Sequence, residues 1–156
     1  MSGPGVRRRP RAAALTIAFL GVLGIAALAG GLVLVARPDG SLMGFSTGLL
    51  TGSPFSDFLV PGIVLGGLFG IGSLVVAAAG ARQAIWAPFA AFAIGCGQMI
   101  WIVVELGIIR ELSFLHPAMF AVGLAIAAAA MAWGWPTFAA WRHADRSHAR
   151  PNFQRR

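Results

Sequence analysis

Six side chains with the chemistry to form a polar site stand in or beside long apolar runs: Glu105, Gln98, Trp101, Asp57, His116 and Arg110. Glu105 closes an uncharged run. Trp101 lies four residues before it and Gln98 seven, so the three share roughly one face of a helix. A carboxylate in that setting binds a cation, carries a proton or holds a polar headgroup, because ionisable residues within apolar spans are costly and face an interior or a water-filled cavity. A second reading stays open. Counted from Ala84, Glu105 falls near the end of its run, where a carboxylate reaches headgroup water and pairs with Arg110 or a neighbouring loop. Gln98 is deeper, and it suits either an interhelical hydrogen bond or the same site.

Asp39, Asp57, Glu105 and Glu111, four of the five acidic residues, fall in segments that a four-span layout puts on one side, together with Arg110 and His116. Such a cluster attracts cations. It lacks the spacings of a zinc-binding helix, so no metal is expected. Haem ligation would want histidines inside the spans, and His116, His143 and His148 all lie outside them. No cofactor is expected. His116-Pro117 reads as the start of a helix. Ser46, Thr47, Thr51, Ser53 and Ser56 offer hydroxyls without a partner base, and there is no nucleophile constellation, phosphate loop or nucleic-acid module.

The elements that must position these residues follow from charge spacing. Residues 12–36, 58–81, 83–104 and 112–141 contain no Asp, Glu, Lys or Arg. A bilayer core of about 30 Å needs roughly 20 helical residues, so each stretch can cross it. The chain is 58% hydrophobic and 11% charged, against about 25% charged in soluble domains. Its mean hydropathy is +0.79. The expectation is an all-α polytopic membrane protein: four transmembrane helices in a bundle, over about 12–36, 58–80, 84–106 and 117–135. A basic segment, 1–11, precedes this domain of residues 12–141 and a basic tail, 142–156, follows it.

The net charge of +7 is carried by arginine alone. Arg7, Arg8, Arg9 and Arg11, then Arg82, then Arg142, Arg146, Arg150, Arg155 and Arg156 fall on one side of a four-span layout, and Arg37 and Arg110 on the other. Basic residues near span ends favour the cytoplasmic face. Both termini are therefore expected in the cytoplasm, where their arginines meet anionic lipids rather than nucleic acid. Trp86, Trp133, Trp135 and Trp141 fall at the same interface, as an aromatic belt does. The absence of lysine with abundant Ala and Gly suits a GC-rich bacterial genome, and hence the bacterial cytoplasmic membrane. A lone cysteine, Cys96, excludes an internal disulfide and reads as a packing residue. The first run is too long for a signal-peptide core and reads as an uncleaved helix.

Between the first two runs, Arg37-Pro38-Asp39-Gly40 signals a stop and a turn. The following loop is apolar, with Leu42, Met43, Phe45, Leu49 and Leu50, which suits a short interfacial helix or a re-entrant dip. Helix 2 begins either at Pro54, capped by Ser53, or at Pro61. Asp57 near that start is favoured by the helix dipole. Gly62, Gly66 and Gly70 form a flat stripe that admits another helix closely, within the chain or in a homodimer. Pro136 interrupts the fourth helix.

One segment carries a resemblance. Pro38-Asp39-Gly40-Ser41-Leu42-Met43-Gly44 and Gly52-Ser53-Pro54-Phe55-Ser56-Asp57-Phe58-Leu59-Val60-Pro61-Gly62 resemble a pattern in small uncharacterised four-helix bacterial membrane proteins. Those have a D-P-x-G turn after helix 1 and an S-P-F-x-D-F-L-x-P-G lead-in to helix 2, with Trp-Ile before an acidic or amide residue in helix 3. Here Pro38 and Asp39 are transposed relative to that turn, and Trp101-Ile102 precedes Glu105. The resemblance implies topology and bacterial origin and lends no mechanism.

Three functions fit these residues. The first is a non-enzymatic structural or accessory membrane component, alone, as a homo-oligomer or in a larger complex. The second is a small transporter or channel with Glu105 and Gln98 as its ion or proton site. The third is an outer-leaflet lipid or quinone enzyme using His116, Asp57 and Glu105.

Overall fold

A computed structural model describes residues 10–109 and 113–148, with side chains over 10–108 and 113–135. Among the described residues all regular structure is helical. The long helices are α1 (Arg11–Ala36), α2 (Leu59–Ala81), α3 (Ala87–Ile109) and α4 (Leu115–His148). Each contains a stretch long and apolar enough to cross a membrane. Two 3₁₀ turns, Ser41–Met43 and Thr47–Leu50, lie between α1 and α2. Val22 and Ile25 on α1, Ile63 and Leu68 on α2, Ile100 and Val103 on α3, and Leu124 and Met131 on α4 are all exposed. Helices apolar on their outward as well as their inward faces suit a lipid solvent.

The helices meet where side chains are smallest. On α1, a Cβ added at Gly31 would run into the backbone of Gly66, and one at Gly24 would sit 2.8 Å from Leu74 Cγ and 3.1 Å from the Gly70 carbonyl. Seen from α2, a Cβ at Gly70 would lie 2.8 Å from Leu28 Cα, and one at Gly62 2.8 Å from Leu34 Cβ. The stripe Gly62, Gly66, Gly70 is thus occupied within the chain, by α1. A second seam joins α3 to α4. A Cβ at Gly95 would lie 2.7 Å from both Ala127 N and the Gly123 carbonyl, and one at Gly123 would lie 2.9 Å from the Gly95 carbonyl. In addition, α1 packs against α4 and α2 against α3.

The middle of α2 is wound wider than an α-helix. Val64–Ile71 forms π turns, flanked by α-helical Leu59–Ile63 and Gly72–Ala81. The glycine spacing of four explains what this does. At 3.6 residues per turn such a stripe drifts around the helix, and turns of more than four residues drift it back. The wide turns therefore keep Gly62, Gly66 and Gly70 facing α1.

Consecutive helices are antiparallel, which gives the molecule two ends. At the end holding Arg82, Leu20, Leu23, Val76, Ala77, Ala91, Ile126 and Ala130 form a buried cluster, flanked by Ile17, Ala90, Ile94 and Val122. Trp86 and Trp135 are exposed near this end. The short turn from α2 to α3 closes by two reciprocal bonds: Gln83 N–H donates to the Gly80 carbonyl and Ala84 N–H to the Ala79 carbonyl, each at 3.0 Å. This is the Schellman arrangement, with Gln83 in the left-handed position (φ 60°) that glycine usually fills.

At the other end the loop folds back over the helices. Phe58 N–H donates to the Pro38 carbonyl at 2.8 Å, which joins the loop's two ends. Leu34, Leu50 and Phe58 are buried together, with Leu49, Phe55, Leu65 and Ile108 packed on them. Phe45 lies on Phe58 with centroids 5.8 Å apart, and both crowd Gly40 at φ 79°. Leu42, Met43 and Phe45 remain exposed. The loop is thus two 3₁₀ turns rather than a regular interfacial helix.

Three boundaries differ from the sequence expectation. The second helix starts at neither Pro54 nor Pro61 but at Leu59, and Gly62 N–H makes its first turn with the Phe58 carbonyl at 2.9 Å. Pro61 falls inside that first turn, where its missing N–H has no partner to lose. Ser53 accepts from Phe55 N–H at 3.2 Å and shapes the loop instead of capping the helix. The third helix begins at Ala87 rather than Ala84, after the turn that Gln83 closes. The fourth continues through Pro136 to His148, because a single missing hydrogen bond does not end a helix that is otherwise fully bonded.

Candidate polar site along α3

Gln98, Trp101 and Glu105 follow one another along α3, which is held on one side by α4 through Gly95 and on the other by α2. Trp101 leans on Phe69 of α2, with ring centroids 5.9 Å apart at 57°, and Phe69 also lies 3.6 Å from a Cβ placed on Gly97. Trp101 is half-buried by this contact. Glu105 is also half-buried, one turn further along. The Trp101 indole and the His116 ring are its electrostatic neighbours. Glu105 and Trp101 thus lie in the last turns of α3 and His116 in the first turn of α4.

His116 is held in one tautomer. Ser113 N–H donates to His116 Nδ1 at 3.2 Å, and Ser113 Oγ lies 3.1 Å from the same nitrogen. A backbone N–H can only donate, so Nδ1 accepts, and the neutral ring carries its proton on Nε2. The pair resembles a capping box: the side chain of the second helical residue returns to the backbone just before the helix. This explains why α4 starts at Leu115, ahead of Pro117. Phe114 and Leu115 beside it are exposed.

Asp57 has a different task. Its Oδ1 accepts from Leu59 N–H at 3.0 Å, so the carboxylate fixes the start of α2. Among the described residues no hydrogen bond joins it to Glu105. Asp39 likewise serves the loop. Its Oδ1 accepts from Ser41 Oγ at 2.7 Å and Ser41 N–H at 3.0 Å, and these bonds hold its carboxyl below the usual carboxylate range, with Arg37 adding to the effect. Arg110 lies outside the described residues. Among the described residues no three His, Cys, Asp or Glu side chains gather as a metal set.

Gln98 is only 2% exposed, and its Oε1 has no partner. It abuts α4, with Gln98 Cβ 3.2 Å from a Cβ placed on Gly123. The anticipated interhelical hydrogen bond to Oε1 is thus not formed. A residue that the sequence reading passed over has the same property: Ser73 on α2 is wholly buried and its Oγ is unpartnered. Its only signal was a hydroxyl in the continuation of the glycine stripe. Thr16 on α1 is equally buried, but it donates to the Ala12 carbonyl at 2.8 Å and is satisfied by its own helix.

No family model, curated protein or solved structure matches the chain.

Proposed function

We propose that this is a small multi-pass protein of the bacterial cytoplasmic membrane, with its four helices bundled, both termini in the cytoplasm and the loop of residues 37–58 outside. Its role is that of a non-enzymatic structural or accessory component. The observation that carries this reading is the pair of glycine seams, which bring α1 onto α2 and α3 onto α4 at backbone distance while every outward face stays apolar. Such close packing gives a firm helical body in lipid, where dispersion contacts rather than water exclusion hold helices together. Anionic lipids would meet the arginine-rich termini, and a second copy or a larger membrane complex would meet the apolar faces.

A second reading has its own support. Glu105, Trp101 and Gln98 share one face of α3, and the amide oxygen of Gln98 is unpartnered, which suits an ion or proton site in a small transporter or channel. Native mass spectrometry of the protein in native-lipid nanodiscs, beside Glu105→Gln, tests the two. A retained partner or homo-oligomer unaffected by the substitution supports the accessory role. A bound ion or small molecule lost in Glu105→Gln, with the fold intact, overturns it in favour of transport.

A further inference from the structure

Among the described residues, two buried side-chain oxygens have no hydrogen-bond partner, Ser73 Oγ and Gln98 Oε1. Leaving such an atom buried and unbonded costs about 1–3 kcal/mol. Folded proteins usually meet that need with ordered water. Helix register places both oxygens in one layer. Phe69 of α2 touches the stretch of α3 between Gly97 and Trp101, and further along the same pair of helices Val76 and Ala77 share a cluster with Ala91. Moving one turn from Phe69 to Ser73 on α2 matches moving one turn from Trp101 toward Gly97 and Gln98 on antiparallel α3. Ser73 and Gln98 therefore lie within about one helical pitch, ~5 Å, of each other in depth.

Each direction away from this layer meets a buried apolar cluster, that of Leu34, Leu50 and Phe58 at the loop-capped end, but the polar side chains differ. Toward the loop-capped end the same face of α3 carries Trp101 and then the half-buried carboxylate of Glu105. Toward the Arg82 end lies the buried cluster of Leu20, Leu23, Val76, Ala91, Ile126 and Ala130. The contrast with Thr16 is informative. A hydroxyl in a helix normally bonds back to the carbonyl four residues earlier, as Thr16 does beyond that cluster. Ser73 makes no such bond, although it directly follows the wide turns of α2.

We propose that Ser73 and Gln98 hold ordered water at mid-depth, reached from the loop-capped end past Glu105 and Trp101 and closed off at the other end by the apolar cluster. Water suits these atoms because it can donate to Gln98 Oε1 and exchange a hydrogen bond with Ser73 Oγ. The site is a blind inlet. A proton or small cation arriving with the water reaches Gln98 from one side and meets a dry barrier beyond it. This rests on the reading that the helices span a membrane, and it gives the Glu105 site a direction of access.

Cysteine accessibility tests it. In a Cys96→Ala background, Ser73→Cys, Gln98→Cys and Leu20→Cys are exposed in intact cells to a small cationic, membrane-impermeant methanethiosulfonate. Leu42→Cys and Arg82→Cys serve as markers of the two faces. The thiolate, which forms where water reaches it, attacks the reagent's sulfenyl sulfur and expels methanesulfinate, so Ser73→Cys or Gln98→Cys is expected to react at least about tenfold faster than Leu20→Cys. Two separate positions keep the test standing if one variant fails to fold. Reaction of both no faster than Leu20→Cys, with Leu42→Cys labelled, overturns the inlet. Labelling of Arg82→Cys but not Leu42→Cys in intact cells overturns the orientation instead. Opened membranes, where reagent meets both faces, then decide the inlet by the same comparison.

Discussion

The α1–α2 pair and the α3–α4 pair are both built on glycine, yet they use close approach differently. Along α1–α2, Gly24 and Gly31 meet Gly62, Gly66 and Gly70, and the side chains around them are aliphatic. Along α3–α4, the contact of Gly95 with Gly123 and Ala127 is bordered by Gln98, and the same two helices carry Glu105 and His116 toward their shared end. In the first pair close approach serves chiefly packing, with Ser73 buried where the glycine stripe ends. In the second it also fixes the position of polar groups that a looser interface would leave in lipid. Small residues are thus a structural device in one half and a positioning device in the other.

Substitutions can break this contrast, and the largest effect belongs to the first pair. Gly31→Val places side-chain atoms against the Gly66 backbone, where neither helix can yield. A loss of about 3 kcal/mol, the upper part of the usual range for overpacking, is expected as a lowered unfolding midpoint in mild detergent. Gly67→Ala, on the same helix but with open space at its Cβ, should leave that midpoint nearly unchanged. In the second pair Gly95→Ala meets backbone at 2.7 Å, and a loss of about 2 kcal/mol is expected. Because Gln98 flanks this seam, the same variant should also change the labelling rate of Gln98→Cys, which Gly31→Val should not do in whatever fraction remains folded.

Gln98→Met sharpens the comparison from the polar side. It keeps the volume and removes the oxygen that the proposed water bonds, so a loss of about 1 kcal/mol is expected in the unfolding midpoint. A matching change on α1, Thr16→Val, removes a hydroxyl that is bonded and should cost about 1 kcal/mol in the same unfolding measurement. Gln83→Gly relieves a left-handed residue between the two pairs, and a gain of about 1 kcal/mol is expected. The smallest effect concerns pH. Asp39 has a lowered carboxyl pKa in the folded loop, so its contribution is present above the ordinary carboxylate range and disappears as pH falls through the lowered value. Asp39→Asn removes that contribution, so it should raise loop proteolysis slightly at neutral pH and flatten its acid limb.

The four apolar helices were legible because charge is excluded from each run and returns at each turn. The turn at Pro38-Asp39-Gly40 was legible from its residue types. Features resting on three-dimensional register were not. Nothing local distinguishes Val64–Ile71 from an ordinary apolar helix; the wide turns arise from matching a four-residue glycine spacing to α1. Pro54 and Pro61 both signalled a helix start, but the Asp57 bond to Leu59 N–H decided the matter between them. Pro136 signalled a stop that the helix does not make. In the polar site, the common face of Gln98, Trp101 and Glu105 followed from spacing. Ser73 and the nearness of His116 to Glu105 did not, because both depend on contacts between helices.

The bond from Phe58 N–H to the Pro38 carbonyl has a practical consequence. It turns the loop into a closed ring hung from the helices at one point, with Leu50 as a second anchor. Its tip at Gly44 has open space at the Cβ position. The cost of closing a loop grows only slowly with its length. An epitope or a fluorescent peptide spliced in beside Gly44 would lengthen the ring while leaving its base unchanged, which makes this position a handle for marking one face of the protein.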